Sequence, residues 1–288
     1  MPNEKSASNP VSIDSILEEY SRLLSDEFSE RAAMWPRDAE HFQEREVVGG
    51  LLSRQITLAM EMASNPSVWS AHVAPLFLRA MTDVHITLAW IIQSSAERAR
   101  EYVRYGLGQE KLLVEHLKSY VEASDGSPSL REAIRAQEGW LNSQRLTVLT
   151  EVNVGSWSGM DTRSMAEAAG CLDLYRFAYC PFSAAVHSTW QHVSRYNLIP
   201  CNNPLHGWHR EPVLPEPELD ADYMYRAAKY AAKSLALFDT YCSPVISSPS
   251  AFSFIANALT VEDRWDPEWS HEAQSAQSNE TNDSLGTD

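Results

Sequence analysis

Residues 73–92 read VAPLFLRAMTDVHITLAWII, and this stretch decides the fold class. Leu76, Phe77, Ala80, Met81, Val84 and Leu88 recur at helical spacing. Pro75 falls in the first turn, where a missing N–H costs little. A helix this apolar belongs inside a bundle. Only Arg79 and Asp83 carry full charges in it. They are one turn apart, on one face beside the stripe of Leu76, Ala80 and Val84.

The same period extends outward. Toward the N-terminus, Val47, Val48, Leu51, Leu52, Ile56, Ala59 and Ala63 mark a helix that stops at Asn65-Pro66. Before it, Ile13, Ile16, Leu17, Tyr20, Leu23 and Leu24 mark another. Ser12 is placed as its N-cap, and Val11 and Ile16 for a hydrophobic staple. Toward the C-terminus, Ser94-Ser95-Ala96-Glu97 reads as a capping box for a long helix through Val121. Ser124-Asp125-Gly126-Ser127-Pro128 breaks that helix, and the next runs from about Ser129 to Leu149.

After the turn-rich Gly155-Ser156-Trp157-Ser158-Gly159, Asp161 caps a helix carrying Met165, Ala168, Leu172, Tyr175 and Tyr179. Pro181 interrupts it before a helical continuation from Ser183 to Tyr196. A loop with five prolines spans Pro200 to Pro217, a long helix follows from Asp220 to Tyr241, and a short one covers Phe252 to Leu259. No long alternating β-branched run predicts a substantial sheet. The expectation is an all-α multi-helix bundle with disordered termini: residues 1–10 disordered, one helical domain over 11–262, and an acidic disordered tail over 263–288.

Charge and composition bound the function. A hydrophobic fraction of 44% suffices for a full core. The N-terminus is polar, and no uncharged apolar run reaches membrane-span length, which leads to the expectation of a cytoplasmic protein with no membrane partner. The net charge is -16; without the six acids from Asp266 to Asp288 it is about -10. Such a surface repels phosphate backbones at long range and disfavours RNA as a ligand. Cys171, Cys180, Cys201 and Cys242 form no CxxC pair and read as reduced, mostly buried thiols.

The chemistry-bearing residues are few. Gly155-Ser156-Trp157-Ser158-Gly159 has Trp157 where a nucleophile elbow needs serine. Phosphate loops and HExxH motifs are missing. Arg79 and Asp83 form either a structural ion pair or part of a lined cleft. Ser183 and His187 are four apart, with Tyr179 one turn earlier; His187 reads as a core histidine or as a general acid–base group. His187, His192, Cys201, His206 and His209 crowd one region, but their spacing matches no specific zinc pattern, so neither metal nor cofactor is expected. Trp157 and Trp208 are expected to pack the loops down.

Three segments together resemble the DUF5677 family. They are Leu78-Arg79-Ala80-Met81-Thr82-Asp83; Trp157-Ser158-Gly159 with Met165-Ala166-Glu167 and Gly170; and the run Leu174 to Ser188 with its Tyr179, Ser183 and Val186-His187. The resemblance covers about residues 45–245. It is similar in turn to HEPN-like helical bundles, some of which are metal-independent ribonucleases of toxin and phage-defence systems. In that reading His187 acts as acid or base at a ribose 2′-hydroxyl, Arg79 stabilises the phosphorane and Asp83 orients one of them, with Ser183 and Tyr179 in the same site. Such nucleases place Arg and His four to six residues apart, whereas Arg176 precedes His187 by eleven and the Arg79–His85 pair lies outside the His signature. The other reading is a non-catalytic helical interaction module with these side chains as a polar network. Homo-oligomerisation through helix packing, or binding of another protein, is expected of either.

Overall fold

The computed structural model describes residues 12–34, 42–124, 127–144 and 155–259. The expected tail, the disordered N-terminus, Val11 and the Asp125-Gly126 break lie outside them. So does the end of the helix expected to reach Leu149.

The protein is an all-α bundle. Helix α1 (Ile13–Ala33) starts at Ser12, whose hydroxyl accepts the Ser15 N–H at 3.2 Å. Helices α2 (Phe42–Ser64) and α3 (Ala74–Ile92) follow, separated by a 3₁₀ turn, Pro66–Val68. Helix α10 (Asp222–Cys242) packs on both, and these three form the centre. Leu78, Met81, Ile86, Leu88 and Ile91 of α3 are fully buried there. The Gln55 amide donates to the Tyr230 carbonyl at 3.0 Å and ties α2 to α10. Helix α11 (Ala251–Ala258) closes the bundle against α1 and α10.

Two details of α3 differ from the sequence reading. Leu76 is exposed, and Ala80 and Val84 are only half-buried, because the most buried face runs through Leu78, Met81, His85 and Leu88. The helix also has the length and mean hydropathy of a membrane span, despite Arg79 and Asp83, and is the one such helix among the described residues. More than half of that window is buried by its neighbours, as in the core helix of a bundle.

Helix α4 (Ser95–Ser124) and helix α5 (Pro128–Ser143) pair as a hairpin with a small core of its own: Leu107, Val114, Val121, Ile134 and Leu141. The expected capping box does not form at Ser94, whose N–H donates instead to the Ile91 carbonyl at 3.1 Å. The Ser95 hydroxyl donates to the Glu44 carboxylate at 2.5 Å.

Helix α6 (Thr162–Ala168) is capped by Asp161, which accepts the Ser164 N–H at 2.7 Å. It ends at Gly170, whose φ of +74° a side chain would resist. The chain then forms α7 (Leu172–Leu174), a π-helical turn (Tyr175–Tyr179) and α8 (Cys180–Val186). Pro181 has no N–H and would crowd the carbonyl one turn before it. The wider π turn absorbs this, and the axis continues. The real break comes later, at Ser188 (φ +48°), which separates α8 from α9 (Trp190–Tyr196). The continuous helix expected from Ser183 to Tyr196 is therefore two.

The proline-rich region holds a small antiparallel hairpin, β1 (Leu198–Pro200) with β2 (Arg210–Pro212). The Arg210 guanidinium donates to the Ser194 carbonyl at 3.0 Å and fastens it to α9. None of the four cysteines is buried: Cys180 is exposed and the others are half-buried. Cys171 and Cys242 touch the core from helix ends, Cys180 lies at the junction of the π turn and α8, and Cys201 follows β1.

Candidate functional site

The site is built where α3 meets the α7–α8 segment. One helical turn separates Arg79 from Asp83 on α3, and one turn separates Tyr179 from Ser183 opposite. The Arg79 Nε–H donates to Ser183 Oγ at 2.8 Å. Its Nη1–H donates to the Asp83 carboxylate. Its guanidinium carbon lies over the Tyr179 ring, 3.2 Å from the centroid, within range of a cation–π interaction. Ser183 Oγ–H donates onward to the Tyr179 carbonyl at 2.7 Å. Tyr179 stacks on Tyr175, with centroids 4.8 Å apart, and its hydroxyl donates to Thr162 Oγ1 on α6 at 3.2 Å.

Four of the five candidate residues, Arg79, Asp83, Tyr179 and Ser183, thus meet in one network. The Arg79 side chain is 12% exposed and Asp83 46%. Partial burial raises the Asp83 carboxyl above its ordinary range, and the charge of Arg79 opposes this. His187 stands apart. It caps α8, where its backbone N–H donates to the Ser183 carbonyl at 3.0 Å, and its side chain is exposed. No contact among the described residues joins its ring to Arg79 or Asp83. It is not a core histidine, because α8 ends at Val186 and the turn at Ser188 leaves the cap in solvent.

The core histidine is His85, which the sequence reading did not single out in that role. Its Nδ1 lies 2.9 Å from Ser234 Oγ on α10, and burial, with Lys233 adding to it, lowers its pKa to about 3. Its place on the buried face of α3 was the available signal. A separate cleft of about 380 Å³ opens between α8, α9 and the start of α10, lined by Pro181, Phe182, His192, Arg195, Tyr196 and Tyr223. None of the five candidate residues lines it. His72 meets His192 and Tyr196, two of the residues lining the cleft, edge-on.

Two loop features complete the picture. Trp157 packs edge-on against Trp90 (5.2 Å) and Tyr102 (5.1 Å), holding the loop whose Gly159 has φ +69°. Replacing Trp157 with Ala should cost about 2 kcal/mol, from lost area and two aromatic contacts. A urea midpoint unchanged from wild type would show that the loop is not anchored there. Trp208, by contrast, packs nothing down: it is fully exposed, at 102%. Beside it, ligand atoms of Cys201, His206 and His209 all lie within 4.8 Å of one another. Spacing alone did not reveal that grouping.

An all-α bundle whose central apolar helix carries an Arg–Asp pair, clasped by a Tyr–Ser turn of a later helix, defines the class. The chain belongs to DUF5677, a family of unknown function, whose profile matches residues 45–203, more than half of its length. No curated protein and no solved structure matches the chain.

Proposed function

We propose that the protein is a cytoplasmic, non-catalytic interaction module that docks a second copy of itself through residues 177–219. One observation carries this reading. Eight of the fifteen exposed large apolar side chains among the described residues lie between Phe177 and Leu219, with Trp190, Leu205, Trp208 and Leu214 each at least 67% exposed. Contiguous exposed apolar patches mark contact surfaces, and the proposal is that these side chains form one. The segment is also nearly neutral, with Arg195 and Arg210 against Glu211, Glu216 and Glu218, although the whole chain carries -16. Two such surfaces meet with little repulsion. The Arg79 cluster then acts as a clasp between α3 and α8: its guanidinium is covered by Tyr179 and engaged by Ser183 and Asp83.

Sedimentation of the full chain tests the module. Wild type should dimerise at micromolar concentration, and Trp190→Ser with Trp208→Ser should weaken the dimer by about tenfold or more at unchanged helicity. A wild type that stays monomeric removes the second copy as the partner.

A second reading is metal-independent RNA cleavage by a HEPN-like toxin or phage-defence nuclease. What favours it is an exposed His187 one turn beyond the serine that holds Arg79. His187 would exchange a proton with the ribose 2′-hydroxyl while Arg79 met the phosphorane charge. Arg79 would first have to give up its present contacts, and the net charge disfavours the substrate. Mixed RNA incubated in EDTA with wild type and with His187→Ala decides it. Cleavage by wild type alone supports the nuclease; equal cleavage by both removes His187 from the chemistry.

A further inference from the structure

We infer that Cys201, His206 and His209 form a binding site for one divalent transition-metal ion of the zinc type, with a fourth position left for water. The hairpin brings the ligands together. Its register pairs Pro200 with Arg210, so Cys201 and His209 are the next facing residues, and the Cys201 N–H donates to the His209 carbonyl at 3.0 Å. Two successive turns return His206 to the same place: its N–H donates to the Asn203 carbonyl at 3.0 Å, and the His209 N–H donates to the His206 carbonyl at 3.1 Å.

The ligand atoms already have nearly the required spacing. Cys201 Sγ is 3.7 Å from His206 Nδ1, and all three ligand atoms fall within 4.8 Å. A tetrahedral ion with bonds of about 2.3 Å to sulfur and about 2.0 Å to nitrogen sets its ligand atoms about 3.5 Å apart. Closure therefore asks for a shift of about 1 Å, taken up by the exposed His206 and His209 side chains. The Asn203 N–H donates to Cys201 Sγ at 3.5 Å, a contact that orients the sulfur. One thiolate and two imidazoles are the donors zinc prefers, and three protein ligands leave a tetrahedral position open.

Among the described residues the loop between the strands also has no apolar anchor. Leu205 is 89% exposed and Trp208 102%, so apolar burial does not order it. Trp208 holds a left-handed φ of +67° between His206 and His209, a conformation a non-glycine residue avoids unless its surroundings impose it. Small segments without a core are commonly ordered by a metal. Cys201 lies within the residues that match the family profile and His206 and His209 just beyond them, and the site does not depend on how the 177–219 surface is used.

The test is a cobalt titration of the full-length, metal-stripped protein under reducing conditions, followed by displacement with zinc. Wild type should bind one equivalent, with the visible bands of tetrahedral cobalt and a thiolate-to-cobalt charge-transfer band that zinc bleaches. Cys201→Ser should lose the charge-transfer band. His206→Ala and His209→Ala should each weaken zinc binding by about 100-fold or more, since even an outer-shell change costs about 10- to 100-fold. His192→Ala should leave binding unchanged. The hairpin lies outside the core, so all variants should keep their helical circular dichroism. A wild type without a charge-transfer band, or a band that survives in Cys201→Ser, overturns the site.

Discussion

Replacing Arg31 with alanine should lower stability by about 3–5 kcal/mol, among the largest effects of any single substitution in this protein. Arg31 is 5% exposed and joins α1 to α10. Its Nε and Nη2 donate side by side to the two oxygens of Asp239, at 2.7 and 2.6 Å. Its Nη1 donates to the Glu27 carbonyl at 2.9 Å and lies 3.6 Å from the Glu27 carboxylate. Glu27 in turn accepts the Ala251 N–H at 2.7 Å, at the first turn of α11. Burial raises the Glu27 carboxyl above its ordinary range, and Arg31 is one of the groups that hold it down. Alanine removes that cation and leaves the buried Glu27 carboxylate facing Asp239, which is 32% exposed. The expected readout is a lower urea midpoint with an unchanged slope. An apolar pair, Arg31→Met with Asp239→Leu, should recover part of the loss, because it removes the partner charge as well. A loss under about 1 kcal/mol for Arg31→Ala would mean that water reaches the pair and screens it.

Acid should destabilise the protein through His85. The sign follows from its two states. Unfolded, an imidazole titrates near 6.5; folded, burial among apolar neighbours, with Lys233 adding to it, lowers His85 to about 3. Between these values the unfolded chain holds a proton that the folded chain refuses. The stability contributed by the neutral ring is complete above pH 6.5 and is lost as pH falls toward 3. The slope approaches about 1.4 kcal/mol per pH unit, which reaches about 4 kcal/mol over the window. Urea unfolding at several pH values between 7 and 4 measures it, with His85→Gln as the comparison. The variant loses some stability at pH 7 through repacking and the lost Ser234 contact. Its curve should nevertheless be flatter than wild type. Glu30, whose carboxyl is held at about 2 by the Ser247 and Ser248 donors, adds an acid loss common to both proteins. Parallel curves would show that His85 accepts a proton in the folded state.

The fold class was legible in the sequence because helical periodicity is local. Leu78 to Ile91 needed no partner to declare a buried helix; Ser12 and Asp161 marked helix starts through hydrogen bonds to residues three positions on, and Pro66 marked an end because it has no N–H to donate. The pairing of Arg79 with Asp83 was legible for the same reason: one turn of one helix brings them together. That Tyr179 and Ser183 close on Arg79 was expected only through family resemblance, since the contact spans about a hundred residues of chain.

The rest was decided by tertiary structure. Pro181 predicts an interruption, but whether the chain breaks there or widens into a π turn depends on what packs against it, and the break moved to Ser188. That shift placed His187 in solvent. Which histidine is buried depends on which face of α3 meets α10, and that choice made His85 the core residue. Cys201, His206 and His209 have a spacing that signals nothing along the chain. A hairpin register, set by hydrogen bonds across the strands, puts them within reach of one ion.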